Sequence, residues 1–497
     1  MMDIVPTAFI SFLAVPALFL VSHFGIKLPD APPPDPAADE ARFNAVNSQL
    51  DTGGTVYGYI SVDGDLTAVG EFVSGISRQI QENAPKGGKL PVLVQVDVPK
   101  ILDISGLDSV SAIGFSSKRA EVGFRNKAYI HAPEGRTGLL RAFGDTPQPF
   151  EVVKMAPAWT DIAISQTLNL KQVYDTVQEA AGVIMGEQGA AMMKAMAQRP
   201  AGPFPFTLEQ VLADLDTKVT FILDADSAMQ VGIPGVQGLS IPQMEAAILV
   251  DGLGCVADKM ITTVEKKLQE NEGRPAPVNI LRSQDWVGMR LSVPPGQGRN
   301  VAGWLGILSA ISDSKPAVLH HDPSGNLVVT TGQRFAQSLF SQKPGLSTDP
   351  DFQKATAGLP TEGTGLSYIS PAFFGMVRST MEGLSTNKKV GKKEGMIFKT
   401  AMDLIVPQGA QGEASVTTST GDGILVVSNS AHSHKARLAS PLFTSVLPMM
   451  YSQTMKVRQK AMDRQMKLEM EMRERVLREE QEALESAREE DAREERE

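Results

Sequence analysis

Cysteine is almost missing from this chain: Cys255 is the single example in 497 residues. No intramolecular disulfide can form, and no zinc or iron–sulfur centre built on several thiolates can be assembled. Also absent are the Gly-x-Ser-x-Gly elbow, the His-Glu-x-x-His helix and the Cys-x-x-Cys pair, so the common hydrolase, zinc-protease and redox signatures do not occur. Basic charge is not in excess. With 47 Lys and Arg against 57 Asp and Glu, the net charge of −10 disfavours nucleic acid as a partner.

A long uncharged run is present at the start. From Ile4 to Ile26 no formal charge occurs. As a helix that run rises ~35 Å, enough for a bilayer's hydrocarbon core of ~30 Å. The flanks read as an uncleaved anchor: Met1-Met2-Asp3 is not a basic n-region, and the apolar run exceeds that of a secretory signal. A cleaved signal peptide and a buried helix are the alternatives, and Pro6 and Pro16 weaken a continuous helix. Lys27 is the only basic residue near the boundary, and the body is expected outside the cytoplasm. A nearly cysteine-free chain suits a bacterial periplasm better than a disulfide-rich extracellular medium.

The organisation expected from composition is an anchor or signal over 1–27, a Pro/Ala-rich linker over 28–50, α+β domains over 51–203 and 204–445, and a long charged helix over 446–497. Strand composition marks Thr55–Val62, Ser109–Ser117, Glu121–His131, Lys218–Leu223, Glu245–Val250, Val278–Leu281, Trp286–Val293, Ala317–His321 and Leu327–Thr331. Helical periodicity marks Leu66–Ile80, Arg136–Phe143, Leu170–Gln198, Leu208–Leu215, Cys255–Glu270, Val301–Ile311 and Phe335–Phe340. Glu413–Ser428 reads as a hairpin turning at Gly421-Asp422-Gly423. Strands come in runs, which predicts an α+β fold of antiparallel sheets with helices packed on one face.

Ser61, Asp65, Leu66, Val69 and Val73 are matched in spacing by Ser165, Asn169, Leu170, Val173 and Val177, which suggests duplicated strand-turn-helix modules with an Asx cap; Tyr368-Ile369-Ser370 opens a looser third copy. Ordinary capping grammar gives the same pattern without duplication. The Tyr451–Glu497 stretch carries i, i+4 pairs such as Glu469/Arg473 and an apolar stripe of Met462, Met466, Met470, Leu477 and Leu484. Arg473 and Glu480 interrupt the second heptad seam, so this reads as a solvated helix, with a weak coiled coil or partner-binding helix and a frayed tail as the alternatives.

Three motifs invite chemistry. His320, His321, His432 and His434 are the concrete metal idea, set against surface or hydrogen-bonded histidines, since adjacent strand residues point to opposite faces. Asp224 and Asp226 follow the apolar strand Phe221-Ile222-Leu223, as in phosphoryl-transfer enzymes of the haloacid dehalogenase type; a turn in which Asp caps the next segment is the plainer account. Gly296-Gln297-Gly298 before Val301 lacks the P-loop lysine and a third glycine and reads as a loop. The basic run Lys388, Lys389, Lys392 and Lys393 reads as solvated. No catalytic, cofactor-binding or metal-ligating residue is assigned, and no cofactor is expected.

The segments Ala112-Ile113-Gly114-Phe115-Ser116-Ser117, Phe124-Arg125-Asn126-Lys127-Ala128, Gly138-Leu139-Leu140 and Val427-Ser428-Asn429-Ser430 resemble uncharacterised bacterial envelope proteins with an N-terminal apolar segment and α+β repeats. The likeness covers residues 50–440. It implies export and fold class and assigns no catalytic residue. The expectation is a membrane-tethered, non-enzymatic envelope protein that meets the inner membrane through residues 4–26 and a protein partner through its C-terminal helix. An envelope hydrolase with a non-local active site and a carrier for an apolar ligand are the alternatives, the last suggested by 22 Met and 20 Phe.

Overall fold

The computed structural model describes residues 35–65, 68, 70, 71, 74, 75, 97–121, 123–200, 206–212, 216–232, 240–270, 278–282, 287–291, 318–321, 325–331, 333–340, 344–386, 406, 409 and 411–435. The expected anchor, the Gly296 loop, the Val301 helix, the lysine run and the C-terminal helix lie outside them. The chain divides into two units, residues 1–231 with 240–438 and residues 232–239 with 439–497, and the described residues other than Gly232 belong to the first.

The strands are β1 (Val56–Ser61), β2 (Ala112–Arg119), β3 (Phe124–His131), β4 (Gln148–Pro149), β5 (Ile162–Asn169), β6 (Asp216–Gly232), β7 (Ser240–Val250), β8 (Val278–Arg282), β9 (Val287–Leu291), β10 (Val318–His321), β11 (Leu327–Thr330), β12 (Glu362–Gly363), β13 (Gly365–Ile369), β14 (Glu413–Thr420) and β15 (Gly423–Ser430). Thirteen of them form one sheet in the order β1-β2-β3-β15-β14-β13-β5-β6-β7-β11-β10-β9-β8, and β4 pairs β12 separately. β1–β2, β13–β14, β13–β5, β15–β3 and β5–β6 all pair antiparallel, as expected for an α+β fold.

The sheet is assembled from strand triplets. β1, β2 and β3 are neighbours, as are β5, β6 and β7, β9, β10 and β11, and β13, β14 and β15. In the triplets led by β5 and β13 the helices Leu170–Met185 and Pro371–Thr386 follow the first strand directly. After β1 the chain turns at Asp63-Gly64 and becomes helical at Asp65. Each helix start has a reason. Asn169 accepts the Gln172 amide at 2.7 Å, and Ser370 Oγ accepts the Phe373 amide at 2.9 Å, so side-chain oxygens satisfy first-turn donors. Leu66, Val69 and Val73 of the first expected module fall outside the described residues.

Helices cover both faces of the sheet, which differs from the one-face expectation. On β2 and β3, Ala112 and Tyr129 pack with Val46 and Leu50, whereas the adjacent Ile113 and Ile130 pack with Leu140. Neighbouring strand residues point to opposite sides, so the two clusters mark two covered faces. Along Ala112–Ser117 and Ala128–Ile130 small or apolar residues occupy both sides of the strands, the pattern of a doubly buried sheet. The main core lies at the centre, where Ala163, Ile222, Leu249, Val328, Leu366, Tyr368 and Val416 meet Phe150, Leu346, Phe352 and Phe335. Tyr368 and Phe352 touch edge to face at 5.1 Å. Each such burial is worth ~1.5–3 kcal/mol.

Three expectations are corrected. Residues 36–49 are helical, not extended linker: Asp35 accepts the Ala37 amide at 3.0 Å and Pro36 stands in the first turn. Phe43, Val46 and Leu50 share one helical face, and Val46 is fully buried on the sheet. The Leu170–Gln198 helix is instead a hairpin of Leu170–Met185 and Glu187–Ala197, broken where Gly186 takes a left-handed φ of 70°. β6 continues to Gly232, so Asp224 and Asp226 lie within a strand and cap no turn. Across the boundary expected near residue 204, β5 pairs with β6 from Ile162↔Leu223 to Asn169↔Asp216.

Candidate functional site

The histidines are built into separate parts of the sheet. His320 and His321 close β10, while His434 follows β15. Seven strand spacings separate β10 from β15, roughly 33 Å along the sheet. His434 is buried, with Nε2 3.1 Å from the Lys127 carbonyl, its amide donating to Ser117 Oγ at 2.9 Å and its ring edge-on to Phe115. The His432 carbonyl accepts from Asn126 Nδ2 at 3.0 Å and from Ser430 Oγ at 2.7 Å. These contacts tie the chain after β15 to β2 and β3. Among the described residues no group of three or more His, Cys, Asp or Glu has the geometry to hold a metal ion.

Carboxylates, by contrast, do converge. Asp161, just before β5, is 6% exposed and sits where three strands meet. Its backbone amide donates to the Leu223 carbonyl at 3.0 Å, its Oδ2 accepts the Ala225 amide at 3.0 Å, and its Oδ1 accepts the Ser370 hydroxyl. The Ser370 amide donates to the Asp161 carbonyl at 2.7 Å, so one residue joins β5, β6 and the end of β13. The β5–β6 register carries Asp161 to the level of Asp224, and Glu245 of β7 and Asp226 are near enough to act on that group.

The electrostatics follow from burial and like charge. Burial pushes the Asp224 carboxyl up to about 7, and the negative charges of Asp161, Glu245 and Asp226 push in the same direction. Burial also raises Asp161, opposed by its hydrogen bonds from Ser370 and Ala225. A carboxyl poised near neutrality can hold or release a proton at physiological pH, the property general acid–base chemistry needs. The Ser370 oxygen donates to Asp161 while accepting the Phe373 amide, so the two contacts fix it at the start of the Pro371–Thr386 helix.

A separate open groove of about 470 Å³ runs beside the helical hairpin, lined by Lys100, Asp175, Gln178 and Glu179 among others; none of the four converging carboxylates lines it. Sequence reading singled out Asp224 and Asp226 and missed Asp161 and Glu245. Asp161 becomes visible only through strand register, which brings together positions 63 residues apart. The chain matches no protein-family model, no curated protein and no solved structure.

Proposed function

We propose that this chain is a membrane-tethered, non-enzymatic binding protein of the bacterial cell envelope, anchored in the inner membrane with its body in the periplasm. The observation that carries the reading is the uncharged run Ile4–Ile26, followed after a short polar and proline-rich stretch by the Asp35 cap of the first described helix. The eight residues from Lys27 to Pro34 span at most ~29 Å, so a body tethered this way works close to the bilayer. Two features of the body support binding over catalysis. The buried His434 ring is taken up by the Lys127 carbonyl, and a row of large apolar side chains faces solvent on the Leu170–Ala197 hairpin. Among the described residues no helix is long and apolar enough to cross a membrane, and residues 4–26 lie outside them.

The finer architecture belongs to the same proposal. The strand triplets are copies of one strand-helix-strand-strand module, supported by their equal placement in the sheet and by Asx or Ser caps after β5 and β13. The segment 446–497 is a long charged helix that contacts a protein partner. In fractionated cells the full chain is expected in the inner-membrane pellet, resistant to carbonate extraction, with its body cut by protease only after the outer membrane is opened. Recovery in the cytosol would sink the reading.

The converging carboxylates favour a second reading, an envelope hydrolase in which Asp224 serves as the general acid. That reading stands if chromogenic esters, phosphomonoesters or glycosides are turned over by the wild type and Asp224→Asn abolishes the turnover.

A further inference from the structure

The helices Leu170–Met185 and Glu187–Ala197 fold back on one another through small residues. A Cβ on Gly189 would lie 2.3 Å from the Ala181 carbonyl, and one on Gly182 would touch Ala190 at 3.4 Å. Tyr174 Oη donates to the Met193 carbonyl at 3.3 Å and sets the same pairing. With that contact line fixed, a turn of about 100° per residue assigns the remaining positions to two edges. Val177 and Ile184 of the first helix fall on one edge. Because the second helix runs antiparallel, Met192 and Met196 fall on that edge too. Lys171, Asp175, Glu179, Glu187 and Lys194 fall on the opposite edge, where the groove beside Lys100 opens.

The apolar edge is solvent-facing: Val177 is 45% exposed, Ile184 39%, Met192 49% and Met196 57%, with Met185 at the tip 48% exposed. These fractions amount to ~400 Å² of largely apolar surface on one edge, within the range of patches that mark association sites. Methionine suits such a surface, since its unbranched chain adapts to the shape it meets.

We propose that this edge pairs two copies of the chain, hairpin against hairpin, as a four-helix contact about a two-fold axis. Two such edges contribute ~800 Å², matching the apolar share of a standard interface of ~1,200–1,600 Å² in total. Charge also selects a second copy over a charged partner. Residues 170–199 carry Lys171, Lys194 and Arg199 against Asp175, Glu179 and Glu187, a balance of zero within a chain of net −10, so two hairpins approach without repulsion. An isologous contact needs a surface complementary to itself. Two short antiparallel stripes on one edge meet that condition, with Met192 and Met196 of one copy opposite Val177 and Ile184 of the other.

Cross-linking of the full chain in native membranes tests this. In a Cys255→Ser background, Val177→Cys and Met192→Cys place single thiols on the apolar edge, and Glu179→Cys places one on the charged edge. A short bismaleimide is expected to convert the apolar-edge variants to a species of about twice 53.3 kDa and to leave the Glu179→Cys variant at the monomer position. Adding Met192→Glu and Met196→Glu to the Val177→Cys variant is expected to cut the product about tenfold. If that pair alters the circular dichroism spectrum, Met192→Ala with Met196→Ala replaces it and must still lower the product. Monomer from every variant, equal product from both edges, or product surviving the edge substitutions overturns the proposal. So does purified Met192→Cys protein that gives no dimer while phospholipid vesicles shield its thiol, which would assign the edge to a bilayer.

Discussion

Replacing Arg136 with methionine is expected to lower the unfolding free energy by ~3–5 kcal/mol, because the change strands several buried acceptors at once. The Arg136 side chain is only 4% exposed. Its Nε donates to the Thr420 carbonyl at 3.1 Å, one terminal nitrogen donates to the Leu140 and Gly144 carbonyls at 3.1 and 3.0 Å, and the other donates to Asp145 at 2.5 Å. One guanidinium therefore closes the end of the Gly138–Arg141 helix, the turn after it and the last residue of β14. Burial lowers the affinity of this group for its proton, and Asp145 opposes that effect. Asp145 itself is 62% exposed, so the ion pair is the lesser part and the carbonyl contacts the greater. Lysine keeps the charge but lacks the planar fork, so Arg136→Lys is expected to lose ~2 kcal/mol and rescue only part of the defect. Urea unfolding followed by tryptophan fluorescence measures both. A methionine variant within ~1 kcal/mol of wild type would mean that water replaces the guanidinium at no cost, contrary to the burial seen here.

The strands were legible because they carry their signal locally. The Glu413–Ser428 hairpin, with its Gly421-Asp422 turn, is found as β14 and β15 with Thr420↔Gly423 as the closing pair. Turn residues between two β-branched runs leave few alternatives. The short Val278–Leu281 and Leu327–Thr331 strands also lie within a residue of β8 and β11. What failed was information carried by a few residues against a strong local composition. Pro29–Pro36 makes the neighbouring sequence look extended, yet Asp35-Pro36 is a helix start and Val46 and Leu50 are buried against the sheet. Gly186 was overridden by helical periodicity on both sides of it. Its left-handed φ lets the chain reverse, and the small residues Ala181, Gly182, Gly189 and Ala190 were the missed sign of two helices in close contact.

The two-sided covering of the sheet was missed for a related reason. Ile113 and Ile130 beside Ala112 and Tyr129 give near-continuous apolar runs, which identify a doubly buried strand only if antiparallel sheets are not assumed to face water. Asp161 is a harder case. Nothing near Thr160-Asp161 distinguishes it from a loop carboxylate, and its role arises from contacts with Leu223, Ala225 and Ser370 that strand order alone creates. The site was half legible: Asp224 and Asp226 stood out after an apolar run, whereas Asp161 and Glu245 needed the sheet.

Stability is expected to fall as pH rises from 5 to 8, and Asp224→Asn is expected to remove most of that fall. The sign follows from proton linkage. An unfolded aspartate titrates near its ordinary value of 3.8, while burial and the neighbouring Asp161, Glu245 and Asp226 hold folded Asp224 at about 7. Between those values the native state binds the additional proton, so the favourable contribution is complete below the unfolded pKa and is lost as pH passes through the folded one. The group retains solvent contact, and after allowance for screening the swing is ~1–3 kcal/mol. Asp161 is raised by burial as well and acts in the same direction, which is why the difference between wild type and Asp224→Asn isolates the one carboxyl. Asparagine cannot ionise and keeps a similar shape, so the variant should match wild type only below the unfolded pKa, exceed it modestly at pH 5 and exceed it most at pH 8. Urea midpoints measured at both pH values decide the matter. A wild type with no slope, or a variant that keeps the full slope, would show that Asp224 is already ionised in the native protein and that the convergence of carboxylates across β5, β6 and β7 is relieved by solvent.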